Sequence, residues 1–188
     1  GYTIDIDLAK SAVEAADREQ EKLGDKMSLA TNGAVDTAGQ VAKLRAFLKE
    51  EYGVDLPDLQ GSTIERRLND PDLPESVKDL LRNRLSASKS SVSKYTKLVK
   101  AINSDFRLRG TLQFCGAART GRWAGRIFQP QNLPRPGHEQ ETIDEAIGMF
   151  KAGIADLVYK DVMEIASSCI RSAIVAAEGK KLVVSDLS

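Results

Sequence analysis

The chain has 188 residues, 41% of them hydrophobic and 29% charged, a composition that suits one domain or two small ones of a soluble, mostly helical protein. Its two cysteines, Cys115 and Cys169, form no CxxC pair and its one histidine is His138, so a zinc site is not expected and a reducing compartment is the default. It contains no run of 18 apolar residues, so no membrane-spanning helix is expected, and its first residues lack the basic and apolar regions of a signal peptide.

The formal net charge is zero but unevenly placed. Residues 1–81 hold 10 Lys+Arg and 17 Asp+Glu, residues 82–135 hold 12 against the single acid Asp105, and residues 136–188 hold 5 against 9. The middle stretch lacks the acidic partners that helix surfaces carry at i+4, so it reads either as a basic face for a polyanion or as a solvated surface.

In chain order, Asp7 can cap a first helix from about Leu8 to Ala30, with Leu8, Ala12, Ala15, Ala16, Glu19 and Leu23 near one stripe and Asn32-Gly33 ending it. A second helix is predicted over Thr37–Tyr52, with Val41, Leu44, Phe47 and Leu48 at helical spacing and Gly53 as its C-terminal cap. Ser62-Thr63-Ile64-Glu65 has the form of a capping box for a short helix, Thr63–Leu68. Pro74 opens the longest predicted helix, Glu75–Ser104, whose serine-rich middle, Ser86–Ser93, invites a kink. The two long helices then suggest an antiparallel hairpin with a small helical tip.

Leu108–Ala118 reads as strand or strand-turn, and the Pro-rich run Gln129–Gly137 admits no helix. Helices are predicted again at Glu141–Lys151 and Ile154–Ser168. Two closing strands, Ile170–Val175 and Lys181–Ser185, would be joined by a turn at Glu178-Gly179. The second is a short apolar run ending at Asp186, a position that suits a catalytic carboxylate, a turn residue or a helix cap.

The stretch from Ala118 to Arg135 carries most of the chemistry. Arg119, Arg122, Arg126 and Arg135 stand among glycines and amides, and arginine can grip phosphate with two N–H groups. Gln129, Gln131 and Asn132 can donate to a sugar-phosphate backbone or to base edges. Trp123 offers a plane for stacking, but a side chain that large and apolar is more often core.

Thr120-Gly121-Arg122 followed, after a fixed interval that matches the family's spacing, by Gln131-Asn132-Leu133-Pro134 resembles the TGR…QNIP element of family A DNA polymerases, the DNA polymerase I-like enzymes. In that family the element lies between thumb and palm and grips the primer–template near the primer end. The resemblance implies that Arg122 reaches the minor groove at the primer terminus and that Gln131 and Asn132 hold the duplex backbone. It places Arg119, Thr120, Arg126, Gln129 and Arg171 in the same DNA-binding set. Trp123-Ala124-Gly125 stands where the family has Leu-Ser-Ser, and Arg126 and Arg135-Pro136 are similar to the phage branch.

Ile170-Arg171-Ser172-Ala173, Ala177-Glu178-Gly179 and Val183-Val184-Ser185-Asp186 resemble the family's IRRAF…EEG…LDYS strand pair, which ends in motif A. By that resemblance Asp186 is the catalytic carboxylate and a ligand of Mg²⁺, a hard cation that takes oxygen. Ser93-Lys94-Tyr95-Thr96-Lys97-Leu98 is similar to the segment that ends the second long thumb helix, making Lys94 and Lys97 candidate phosphate contacts; a solvated lysine face reads as well.

The expected fold class is therefore mainly α with a small β portion (α+β): a thumb-like helical hairpin over residues 1–106, then a partial palm over 107–188 with short antiparallel strands and a helical insertion near 137–168. The resemblance implies a fragment of a template-directed polymerase with primer–template DNA as partner, and dNTP and Mg²⁺ bound only in the full-length enzyme. The fragment alone is expected to be inactive, and the expected location is the cytoplasm, that of a bacterial host if the protein is phage-encoded. The rival readings are a stand-alone DNA-binding module, for which the basic stretch suffices, a helical scaffold protein, and a relative that uses RNA.

Overall fold

The computed structural model describes residues 1–88 and 91–183 and, of Ser91, Val92 and Gln131, the backbone alone. The described part is mainly helical with short antiparallel strands, as expected. Among the described residues no helix is long and apolar enough to cross a membrane. The chain forms two compact units, residues 17–89 and residues 1–16 with 90–188, so it divides elsewhere than at residue 106. The reason lies in helix Ser91–Ala101, whose Tyr95 and Leu98 share a buried cluster with residues 128–173 and not with the preceding helix.

Residues 17–89 hold the second half of α1 (Ile6–Ala30), then α2 (Val41–Tyr52), α3 (Gly61–Leu68) and α4 (Glu75–Ala87). α1 ends where Thr31, buried, donates its hydroxyl to the Met27 carbonyl at 2.8 Å and accepts the Val35 N–H at 3.0 Å, with Asn32 and Gly33 at positive φ. α2 starts later than expected, at Val41, and stops at Gly53, which takes the left-handed conformation that glycine tolerates. The capping box does not form. α3 starts at Gly61, so Ser62 and Thr63 lie inside the helix, and Asp58 instead accepts the Gln60 N–H at 2.9 Å.

α1 and α4 run antiparallel within this unit: Gln20 donates to the Ala87 carbonyl at 2.9 Å, and Met27 shares a core with Val77, Leu80 and Leu81. The long second helix of the sequence reading is two helices, α4 and α5 (Ser91–Ala101). Ser88 ends α4: its N–H returns to Arg84 and Leu85 and its hydroxyl to the Leu85 carbonyl at 2.7 Å, the local competition with helix bonds that serine offers.

The other unit is built on a three-stranded antiparallel sheet in the order β2 (Arg107–Leu108), β1 (Tyr2–Ile4), β5 (Ile174–Val175). Tyr2 stands opposite Leu108, and Thr3 opposite Arg107 on one side and Val175 on the other. Asp5, not Asp7, caps α1 by accepting the Leu8 N–H at 3.0 Å, and its other oxygen meets Lys151. α6 (Gln140–Lys151) matches expectation, but the next helix is split into α7 (Ala155–Val158) and α8 (Val162–Cys169). Tyr159 is extended, and Asp161 restarts the helix by accepting the Glu164 N–H at 2.9 Å.

The strand expected over Ile170–Val175 is a 3-10 turn, Ile170–Ala173, followed by the two-residue β5, which pairs with β1. The turn at Gly179 is present, but Leu182 and Val183 are 54% and 79% exposed and form no buried strand; residues 184–188 lie outside the described residues.

The core of this unit joins Leu8, Ala12, Tyr95, Leu98, Phe128, Phe150 and Ile165. Tyr95 lies fully buried, and its hydroxyl donates to the Ala166 carbonyl at 2.8 Å. Burial pushes its phenol, and the Cys169 thiol to about 12, up in pKa, so both stay neutral and Cys169 is inert.

Candidate nucleic-acid interface

The TGR segment sits in the loop of a hairpin. β3 (Leu112–Gln113) and β4 (Ala124–Gly125) are antiparallel, with Leu112 opposite Gly125 and Gln113 opposite Ala124, and the Arg126 N–H extends the ladder to the Thr111 carbonyl at 2.8 Å. Within the loop, the Ala117 N–H bonds to the Arg122 carbonyl at 3.1 Å, and the Thr120 and Gly121 N–H groups both return to Ala117, at 3.1 and 2.9 Å. Gly121 takes φ +63°, which closes this small turn. Arg119, Thr120 and Arg122 are exposed on it.

Gly116 sits where nothing larger fits. A Cβ there would lie 2.6 Å from the Ala124 Cβ and 3.1 Å from the Gln113 Cβ. Behind it, Arg126 crosses the hairpin, with Nε donating to Gln113 Oε1 at 2.7 Å and Nη1 to the Gly125 carbonyl at 3.1 Å. No sequence motif marks Gln113; only strand alternation, once the hairpin register is known, brings it to Arg126.

After the hairpin the chain is forced through Ile127 at φ +62°, a conformation costly for a β-branched residue, and is anchored by the buried Phe128. Pro130–Asn132 then form a 3-10 turn. Its polar groups brace one another: Asn132 Nδ2 donates to Gln129 Oε1 at 2.6 Å, and Gln129 Nε2 to the Gly125 carbonyl at 3.0 Å. Two cations from distant segments hold the backbone. Lys94 Nζ reaches the Asn132 carbonyl at 2.9 Å, and Arg171 donates to the Leu133 and Pro134 carbonyls at 2.8 and 3.2 Å.

The fold thus gathers Lys94 and Lys97 of α5, Arg171 after α8, and the stretch 117–135 into one unit. Lys94, Lys97, Ile127, Phe128, Gln129 and Asn132 line a cavity of about 170 Å³. That is small beside the roughly 300–1,000 Å³ of small-molecule sites, and it has room for a phosphate or a sugar edge.

Among the described residues, Lys94, Lys97, Arg119, Arg122, Arg126 and Arg171 meet no carboxylate; their partners, where they have any, are neutral oxygens. The one acid of the stretch is occupied elsewhere. Asp105 takes both Nη atoms of Arg109, at 2.9 and 2.6 Å, and that guanidinium holds its carboxyl down at about 2. Because the folded value lies below the ordinary 3.8, this pair stabilises the fold above pH 3.8, and the contribution is lost as pH falls towards 2. The stability difference between the parent and Asp105→Asn, followed by urea unfolding, is expected to shrink across that window; a difference that does not change with pH would contradict the pairing.

Trp123 is not core. It is 61% exposed and packs edge-on against Phe114, itself 70% exposed, with ring centroids 5.2 Å apart. The hairpin register, continued one step past Gln113 and Ala124, sets these two residues opposite each other at the open end of the ladder, where no second layer of the described residues covers them. The side chain of Gln131 and all of Asp186 lie outside the described residues. Among the described residues no three His, Cys, Asp or Glu side chains gather as a metal cluster.

Over its whole length the chain is similar to a protein named DNA polymerase from Bacillus phage SP02, with 37% identity over 191 residues. It spans 28% of that relative's length. No family model and no solved structure matches the chain.

Proposed function

We propose that this chain is the part of a phage-type, family A DNA polymerase that grips the primer–template duplex, comprising thumb and the start of the palm. In the complete enzyme dNTPs would be added to the primer 3′ end held by this surface. The observation that carries the reading is the convergence of Lys94, Lys97 and Arg171 on the Ile127–Pro134 segment that follows the hairpin, with no carboxylate among their partners in the described residues, in a chain whose whole length is similar to part of a named DNA polymerase. Such a surface attracts phosphate through counterion release.

On this reading Arg122, with Arg119 and Thr120, meets the duplex from the hairpin loop. Gln129 and Asn132 contact the backbone beside the two lysines and Gln131 is a further backbone contact, while Arg126 and Arg171 use their guanidinium groups largely to hold the loop in shape. Asp186 would contribute one carboxylate to a Mg²⁺ site of the complete enzyme, where the metal stabilises charge on the reacting phosphate. The basic and amide side chains of this surface bind and orient DNA and take no part in proton transfer or bond making.

The test is anisotropy of a labelled primer–template duplex over a salt series. Affinity is expected to be roughly micromolar or weaker and to fall steeply with salt. Arg122→Ala is expected to weaken binding about tenfold and to reduce the salt slope by about one. Binding that ignores both salt and Arg122 would overturn the reading. The same assay on the complete polymerase with Asp186→Asn separates it from a non-catalytic binding module: duplex binding should persist while primer extension is lost.

A further inference from the structure

We infer that the exposed Phe114–Trp123 pair is a stacking site for an unpaired nucleobase, so that the hairpin tip engages single-stranded nucleic acid as well as duplex. The inference rests on the duplex-binding reading above and adds a site to it. Two large aromatic rings stand 61% and 70% exposed at the end of a two-stranded ladder, locked edge-to-face at 5.2 Å. Leu112, on the same ladder and 54% exposed, extends the apolar surface.

Exposed aromatics can be covered by another protein surface, but the setting here favours a base. The loop that joins the two rings carries Arg119 and Arg122, both exposed and without a carboxylate partner among the described residues, and no acid lies between residues 106 and 135. A purely apolar protein surface closing over the rings would desolvate those guanidinium groups unpaired, and any other would have to bring carboxylates placed for both. A nucleotide brings both requirements together: a flat π-face for the rings and a phosphate for the arginines. The rigidity of the site is supplied by the loop. Ala117, Thr120, Gly121 and Arg122 close it through their own backbone bonds, and Gly116 packs against Ala124, next to Trp123. These contacts tie down the backbone on either side of the rings, which lowers the ordering cost of stacking.

Trp123 is the chain's single tryptophan, so its fluorescence reports on this site alone. Short oligothymidylate at low salt is expected to quench it, and an abasic strand of the same length, which carries the charge without the bases, is expected to leave it largely unchanged. By anisotropy of a labelled oligothymidylate, Trp123→Ala should weaken binding roughly tenfold and Trp123→Phe should restore most of it. Both variants change an exposed side chain, and duplex binding at Arg122 serves as the control for folding. If strand and duplex both bind while emission does not change, or changes equally with the abasic strand, the stacking site is refuted and the duplex reading stands. If neither binds at low salt, the duplex reading falls, and this inference with it.

Discussion

Replacing Tyr95 with alanine is expected to cost the unit built from residues 1–16 and 90–188 about 3–5 kcal/mol, the range for removing a large buried aromatic ring. Tyr95 is fully buried among Leu98, Phe128, Ile165 and Ala166, and few other side chains of that core are as large. Stabilities of single domains lie at about 5–15 kcal/mol, so the loss takes a large part of the whole margin. Tyr95→Phe keeps the ring and gives up only the 2.8 Å bond to the Ala166 carbonyl, at about 0.5–1.5 kcal/mol. Urea unfolding followed by circular dichroism separates the two. Equal costs for Ala and Phe would mean that the ring is not packed as described. The functional consequence follows from position: Lys94 and Lys97 flank Tyr95 on α5, so Tyr95→Ala should also lose salt-sensitive duplex binding, whereas Tyr95→Phe should keep it.

Gly116→Val is expected to open the β3–β4 hairpin. A single added carbon would already stand 2.6 Å from the Ala124 Cβ, inside any real contact distance, and 3.2 Å from Arg126 Nη2. Neither strand can give way without breaking the pairing of Gln113 with Ala124 or the 2.7 Å bond from Arg126 to Gln113. Overpacking of this kind costs about 1–3 kcal/mol. Here the damage should stay local, because the hairpin is a separate two-stranded sheet and Gly116 touches no residue of the buried cluster. The expected signature is therefore a core that melts nearly as before, together with a loss of duplex affinity larger than that of Arg122→Ala. Trp123 emission should change too, since the same strand end holds it against Phe114. Unchanged emission and unchanged affinity would show that the loop is not held as the structure has it.

Where sequence and structure agree, the pattern was local. Of the stripe Leu8, Ala12, Ala15, Ala16, Glu19 and Leu23, all but the half-buried Glu19 are buried, because helical periodicity depends on near neighbours only. Gly53 and Asn32-Gly33 end their helices for backbone reasons visible in any context. The expectations that failed were those in which several local choices are nearly equal. Asp5 and Asp7 can both cap a helix, and the pairing of β1 with β2 and β5 selects Asp5. Ser62-Thr63 forms a capping box only if α3 starts there, and it starts two residues earlier.

The basic stretch was legible because charge and motif are properties of residue order: 12 cations against one acid, and Thr-Gly-Arg at a set distance from Gln-Asn-Leu-Pro. Order alone did not say which cations hold the loop and which face outward, since Arg126 and Arg122 look alike until Gln113 is placed across the hairpin. It did not bring Lys94 to Asn132, 38 residues away, or Arg171 to Leu133, also 38 away. And it leaned the wrong way on Trp123, because size and apolarity predict burial only where a second layer exists to bury against, and the end of a two-stranded hairpin has none. Residue order settled which groups are present and how the helices are punctuated; tertiary pairing across the strands and between α5 and the 3-10 turn decided which of those groups stand together, because such contacts depend on residues that no local window contains.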